Sequence, residues 1–267
     1  MVRAPVISVV IVVWNELELV LSCVASVLRQ SIASECEIIV VVNGLEKNIA
    51  QAITRTFPTV TIIQNKINRG VACARNQGIA SARGDYIALL DADTELEHLA
   101  LEQMKRFMED HPSVGLLGPK LVSAQGALQF SCRRHHSLLS PLMRRLSFLR
   151  WVTNSRAFKQ FHMSDWGHDE ARIVEQVIGA CQFIRASAQQ KIGLLDKRMF
   201  YGWEDSDYCI RMQKAGYQVA YVPEAVVKHF EQRLTKSNLF SRLGFENVKS
   251  MILFFMKYPG AMFGVHG

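Results

Sequence analysis

Long apolar runs are missing from this 267-residue sequence. None approaches the roughly 20 residues an α-helix needs to cross a bilayer, so no transmembrane segment is expected. The opening "MVRAPVISVVIVVWNE" joins a basic residue to an apolar run. That run is short and β-branched, and no small-residue cleavage site precedes the acidic "NELE", so it reads as a first strand and not as a leader. Cysteines are few and scattered, at 23, 36, 73, 132, 181 and 209, with no CxxC pair and no Cys/His cluster. This argues against a zinc site or a disulfide framework and predicts reduced core thiols in a cytoplasmic protein. Internal repeats and low-complexity linkers are also lacking, so a second half is expected to pack directly on the first.

Carboxylates are absent from one stretch altogether. Residues 111–164 hold 8 basic side chains and no acidic one, and residues 228–267 hold 6 and 2. Residues 1–110, by contrast, hold 10 basic and 13 acidic side chains. The net charge of +7 therefore lies in a central insert and a tail. Such a distribution suits contact with a polyanion or an anionic membrane surface. With 49% hydrophobic and 21% charged residues, the chain has enough apolar material for one large domain or two intimate subdomains.

What is present is an alternation. "VISVVIVVWN", "CEIIVVVNG", "TVTIIQN" and "DYIALLDAD" read as buried strands. Between them lie helical spacings such as Leu17, Val20, Leu21, Val24, Val27 and Leu28. Continuous apolar strands alternating with helices predict an α/β fold whose sheet is mostly parallel, with helices on both faces. In such sheets ligands bind beyond the carboxyl ends of the strands. Asn15, Asn43, Asn68 and the pair Asp91 and Asp93 all fall there. "LQFSCRRHH" reads as a further strand, residues 137–161 as a basic, partly amphipathic helical segment, and "EQVIGACQFIRA" as a strand entering a helix. The chain then runs through an acidic loop, "GWEDSD", into a helix and a last strand ending at His229.

In "ALLDADTE", Asp91 and Asp93 stand two apart, so in an extended chain they would share a face. Two carboxylates that close repel unless a cation lies between them, and a divalent metal is the simplest one. The alternative is a strand end followed directly by a helix, with Asp93 or Thr94 as N-cap.

In their order and spacing, several segments resemble the inverting glycosyltransferases of family 2, which have the GT-A fold. These are "VVIVVWNE", "EIIVVVNG", "NRGVACARNQGIASARGDYIALLDAD", "VIGACQFIRA", "GWEDSDYCIRMQKAGYQVAYVPEAVVKH" and "NVKSMILFFMKYPG". The second half looks most like the rhamnosyltransferase branch. The resemblance implies a nucleotide-sugar-binding half at 1–112, a packed acceptor-binding and catalytic half at 113–230, and a C-terminal helical extension at 231–267. It makes "DAD" the family's DxD motif, with Asp91, Asp93 and His229 as ligands of a divalent cation, Mg2+ or Mn2+. Asn15, Glu16, Asn43, Asn68, Arg75 and Asp91 become the donor contacts, although Arg75 would equally hold a structural salt bridge. Asp205 becomes the base that deprotonates the acceptor, with helix capping as its alternative. Trp203 and Glu204 become acceptor contacts, Trp203 serving otherwise as a buried aromatic anchor. Asp207 is expected to hydrogen-bond nearby groups or steady an arginine. Relatives usually carry an acidic residue before Asn43 that contacts the donor's base. Here that position is Val42, which leaves the base open.

The function so implied is transfer, with inversion, of a sugar such as rhamnose from a dTDP-, UDP- or GDP-linked donor to a glycan or lipid-linked acceptor in cell-surface polysaccharide synthesis. The enzyme would be cytoplasmic and peripheral on the inner face of the membrane, without a nucleic-acid partner. The tail would either lie on that membrane as an amphipathic helix or pack on the catalytic domain. The alternatives are a nucleotidyltransferase, for which the expected Gly-rich loop after the first strand is missing, and a degenerate GT-A binding protein.

Overall fold

The computed structural model describes residues 4–44, 47–230 and 241–263. The first half runs β1 (Ile7–Val13), α1 (Leu17–Leu28), β2 (Cys36–Val42), α2 (Lys47–Thr56), β3 (Thr61–Gln64), α3 (Val71–Ser81), β4 (Tyr86–Asp91), β5 (Thr94–Leu96) and α4 (Ala100–Asp110). The second half begins with β6 (Val114–Val122), β7 (Leu128–Gln129) and β8 (Cys132–Arg133). Three short helices follow, α5 (Leu139–Arg145), α6 (Arg150–Asn154) and α7 (Arg156–Phe161). Then come β9 (Arg172–Val174), β10 (Gln176–Val177), β11 (Cys181–Arg185), α8 (Ala186–Ile192), α9 (Glu204–Lys214), β12 (Gln218–His229) and α10 (Arg242–Lys257).

The main sheet has 10 strands, ordered β3-β2-β1-β4-β11-β6-β12-β5, with β7 and β9 added beside β6 and β12. The β3-β2-β1-β4 block is parallel throughout, as the alternation of strands and helices requires. Beyond it β11 runs antiparallel between β4 and β6, and β12 returns parallel to β6. The parallel reading therefore holds for β1 to β4, whereas β5 pairs antiparallel with β12 and the second half is mixed.

Side-chain alternation along the strands divides the core. Ile7, Val9, Ile11 and Val13 of β1 meet Val20, Val24 and Val27 of α1, Ile53 of α2 and Met104 of α4 on one face. Val10 of β1 joins Ile87 and Leu89 of β4, Ile79 of α3 and Tyr208 and Met212 of α9 on the other. The small residues of α3 let it lie against the sheet. A Cβ on Gly78 would fall 2.2 Å from Cγ1 of Val10, so this contact admits only glycine.

Three predicted elements differ in the structure. Asp93 and Thr94 do not start a helix: the chain turns after Asp91 and enters β5, which pairs with the end of β12. The predicted strand "LQFSCRRHH" is cut into β7 and β8, between which Ser131 Oγ donates to the Pro119 carbonyl at 2.8 Å. The basic helical segment is three short helices, with Ser155 as N-cap of the last, accepting from the Phe158 amide.

The segment 231–240, the start of the expected extension, lies outside the described residues. Beyond it α10 packs on the domain. Phe254 and Phe255 join Trp203, Met199 and Ile210 in a third apolar cluster. Buried Asp207 accepts from Arg211 Nε at 2.8 Å, Lys257 Nζ at 2.5 Å and Tyr258 Oη at 2.8 Å. Four groups from α9 and the end of α10 thus neutralise and satisfy one another, as buried charge requires. Asp207 steadies Arg211, and it also locks α10 to α9. No described helix is long and apolar enough to cross a membrane.

Candidate active site

Strand register brings the polar strand ends to one level. Val13 pairs with Val42, Val42 with Gln64 and Val12 with Asp91, so β1 to β4 finish together. His229 ends β12 at the same edge, bound through the Phe230 amide to the Asp93 carbonyl at 2.8 Å. Beyond these ends lies a cleft of about 350 Å³, lined among others by Glu16, Asp91, Asp93, Asp205 and His229. That is the size of a small-ligand site, roughly 300–1,000 Å³.

Arg75 organises the floor. It comes from α3, is 1% exposed, and donates to Asp91 Oδ1 at 2.6 Å, Glu204 Oε1 at 3.1 Å and the Gly179 carbonyl at 2.7 Å. Its guanidinium thus makes the salt bridges of the structural alternative, and it also lines the cleft. Gly179 explains why "EQVIGACQF" is not one strand. Its amide donates to Asp205 Oδ2 at 3.0 Å, and the Ala180 carbonyl accepts from the Asp91 amide at 3.0 Å. The backbone between β10 and β11 is engaged by the site and not by a sheet ladder. A Cβ on Gly179 would meet Arg75 Nη1 at 2.7 Å.

Glu204 lines the cleft at 4% exposure, with Oε2 unpartnered. Its other oxygen, Oε1, is held by Arg75 at 3.1 Å, a partner that the sequence does not announce. Burial above all, then the neighbouring Asp205, pushes its carboxyl up to about 8, while Arg75 pulls the other way but is shared with Asp91. Because the folded value exceeds the ordinary 4.5, the native chain binds more protons than the unfolded one between those pH values. Stability is lost as pH rises through that window. Glu204→Gln keeps an acceptor for Arg75 and removes the titration. Its melting temperature should fall less than the wild type's between pH 5 and pH 8, and equal slopes in the two proteins would refute the account.

Asp205 is the second residue of α9. Oδ1 accepts from the Ser206 amide at 2.8 Å and Oδ2 from Gly179, so it satisfies a first-turn N–H while facing the cleft. Both roles coexist, because an ionised carboxylate has about four acceptor positions. Trp203 precedes the helix with φ 74°. A left-handed tryptophan costs of order 1–3 kcal/mol and persists only when its surroundings hold it. Here they do: Trp203 packs on His136, Phe254 and Phe255 at ring distances of 4.4, 5.2 and 5.6 Å, and Asn247 of α10 donates to the Tyr201 carbonyl at 3.2 Å. Trp203, 8% exposed, is thus an aromatic anchor that also lines the cleft.

Asn43 and Asn68 shape the loop between β3 and α3. Asn43 Nδ2 donates to Asn68 Oδ1 at 3.0 Å, and Asn43 Oδ1 accepts from Asn65 Nδ2 at 3.0 Å and the Arg69 amide at 3.1 Å. Both reach the cleft wall, but Asn43, 3% exposed, has its amide engaged within the protein. Asn15 is exposed and is not among the cleft-lining residues, whereas Glu16 is. Val42 is fully buried in the core and is not among the cleft-lining residues. Trp14, missed in the sequence, lines the cleft at 39% exposure, close over Gly44.

Asp91 and Asp93 sit at the turn between β4 and β5 and share the cleft. Burial, then Asp91, pushes Asp93 up to about 6, and His229 opposes them. His229 Nε2 lies 3.7 Å from Asp93 Oδ1. Gln129, also missed, fixes this ring. Its Nε2 donates to the His229 carbonyl at 3.0 Å, so its Oε1, 2.8 Å from Nδ1, accepts the imidazole hydrogen. Nε2 is then the ring atom that faces Asp93, the arrangement in which outer partners orient metal ligands. Two carboxylates and an imidazole are donor types that a divalent cation takes, although among the described residues no group of three His, Cys, Asp or Glu side chains is placed to hold one.

Residues 8–164 match the family model of glycosyl transferase family 2. The chain is 25% identical over 231 residues to the N-acetylglucosaminyl-diphospho-decaprenol L-rhamnosyltransferase of Mycobacterium tuberculosis, covering 82% of this chain and 74% of the relative. Among solved structures it resembles GalNAc-T7 with UDP, GalNAc and Mn2+ (TM-score 0.67, 18% identity, 99% of this chain and 52% of that one). It also resembles the Pyrobaculum calidifontis mannosyltransferase with GDP-Man and Mn2+ (TM-score 0.59, 18% identity, 87% and 59%). The chain thus spans between half and three-fifths of the solved structures it matches. Their shared architecture is the GT-A fold, as the order of motifs implies.

Proposed function

Because the chain belongs to glycosyl transferase family 2, we propose that its cleft moves a sugar, with inversion, from a nucleoside diphosphate to a lipid-linked glycan acceptor. One observation carries the reading. Carboxylates from β4 and the following turn and the carboxylate of α9 line the same cleft, although they lie more than a hundred positions apart in sequence.

The division of labour follows the two halves, 1–112 for the donor and 113–230 for the acceptor and base. Trp14 offers a face on which the donor's base stacks, which needs no acidic partner at Val42. Asp91, Asp93 and His229 would hold a divalent cation, Mg2+ or Mn2+, which as a Lewis acid offsets negative charge on the departing diphosphate. Both solved neighbours were determined with Mn2+, one with UDP and one with GDP-Man. Asp205 takes the proton of the acceptor hydroxyl. That oxygen bonds to the anomeric carbon from the face opposite the diphosphate, whose bond to the same carbon breaks, so configuration inverts. Arg75 holds Asp91 and Gly179 in place, and Gly179 in turn holds Asp205, so the donor and acceptor sides share one rigid floor.

The rhamnosyltransferase of M. tuberculosis acts, by its name, on a sugar diphospho-lipid. That supports a lipid-linked acceptor and a rhamnosyl donor here, with the protein peripheral on a cytoplasmic membrane face. A panel of dTDP-, UDP- and GDP-sugars, titrated with and without Mn2+, tests the donor reading. One sugar nucleotide should bind at least about tenfold more tightly with metal than without. Metal-independent binding across the whole panel would favour the degenerate binding protein instead.

A further inference from the structure

The acid-free insert has an outer face that the transfer reaction does not use. Leu139 and Leu142 of α5, Phe148 between α5 and α6, and Trp151 of α6 are all more than half exposed, Phe148 at 76% and Trp151 at 69%. Arg145 and Arg150, both exposed, alternate with them. Scattered exposed leucines are ordinary, but aromatic and aliphatic side chains gathered with arginine within thirteen residues are a surface that wants a partner.

Charge chooses the partner. With no carboxylate anywhere in 111–164, this face has nothing of its own to neutralise its arginines. It therefore complements a surface that is anionic and also accepts apolar side chains. Tryptophan and phenylalanine beside arginine is the composition of helices that lie in the headgroup region of a bilayer. The outer stripe of α10 (Phe245, Ile252, Met256) is also exposed, but it carries Glu246 beside its lysine and lacks this complementarity.

Two side chains of the insert, Arg133 and His136, reach the cleft. His136 lines the cleft and packs on Trp203 at 4.4 Å. Its Nδ1 lies 2.9 Å from Ser140 Oγ in α5, and its ring is 5.1 Å from Phe161, the end of α7. The three short helices therefore flank the cleft beside Asp205, and a membrane against their outer face would lie next to the acceptor entrance. We propose that the outer face of α5 and α6 docks on an anionic lipid bilayer, presenting the cleft to acceptors anchored in it. The acceptor clause rests on the function proposed above, whereas the docking does not.

The test is co-sedimentation of the full chain with vesicles rich in phosphatidylglycerol and with vesicles of phosphatidylcholine. The wild type should pellet with the anionic vesicles, and less so as salt rises. Phe148→Glu/Trp151→Glu and Arg145→Glu/Arg150→Glu should each weaken binding at least about tenfold. Both variants should melt like the wild type and release nucleoside diphosphate from the donor at the same rate, since none of these residues lines the cleft. Ile252→Glu/Met256→Glu should bind as the wild type does.

Equal pelleting with both vesicle types, unchanged binding of the α5 and α6 variants, or loss confined to the α10 variant would overturn the docking. So would a dimer that Trp151→Glu dissociates in a chain that ignores vesicles, which would make this face a contact between copies. Intact docking with transfer only to water-soluble acceptors would uphold the surface and reject the lipid-linked acceptor.

Discussion

Asp205→Asn is expected to lower turnover by about two to four orders of magnitude while donor binding survives. The substitution keeps the shape of the side chain, and either amide atom can still meet one neighbour. Oδ1 and Oδ2 now accept from Ser206 N and Gly179 N, and an asparagine can accept at only one of those positions. A small loss of stability should therefore accompany the loss of turnover, with no comparable weakening of nucleotide affinity. Single-turnover measurement separates the outcomes. If the chemical step runs at the wild-type rate, Asp205 is only the first-turn partner of α9. A parallel loss of donor affinity and turnover would instead mean that the floor built by Arg75 and Gly179 had shifted. Glu204→Gln is the comparison, because it neutralises the adjacent carboxyl, whose Oε1 is held by Arg75, and leaves Asp205 in place.

Reading the chain in order locates the first half of this site well, and for a physical reason. Four parallel strands with continuous apolar runs must end level with one another, so the polar residue after each run reaches the same cleft. The residues at 43, 68, 91 and 93 follow from that rule alone, which also names Asn15, an exposed residue that does not line the cleft, whereas His229 comes with the family resemblance. The rule is silent on what each side chain does there. Arg75 and Glu204 stand in segments expected to contact ligands and both line the cleft, yet they also bond each other across 129 positions. No local pattern announces such a pair. Gln129 is likewise hidden: it lies 100 positions from His229 and its own stretch reads as an ordinary strand. The tail was ambiguous because an amphipathic helix has the same pattern whether its apolar face meets lipid or protein. Buried Asp207, which needs Lys257 and Tyr258 as partners, decides for packing. Trp203 follows from that decision, since α10 holds its strained backbone in place.

Asp93→Asn is expected to abolish metal-dependent transfer, a fall of at least about a thousandfold if the cation supplies several kcal/mol to the departing diphosphate. The folded protein should not suffer. Burial and the neighbouring Asp91 hold the Asp93 carboxyl at about 6, above its ordinary 3.8. Between those values the native chain binds more protons than the unfolded one, so stability falls as pH rises through the window and stays lower at neutral pH. Asparagine removes that repulsion, and the variant should melt at or above the wild-type temperature at pH 7. The two effects oppose each other in sign, and a simple structural role cannot produce that combination. Thermal shift provides a readout independent of activity. Mn2+ together with a nucleoside diphosphate should raise the wild-type melting temperature by mass action and leave the variant's unmoved. Full transfer in EDTA by the wild type would sink the assignment. A variant that is inactive and also markedly less stable would show that Asp93 holds the turn between β4 and β5 through its side chain. The bond from the Phe230 amide to the Asp93 carbonyl gives no reason to expect that, since it uses backbone alone and survives the substitution.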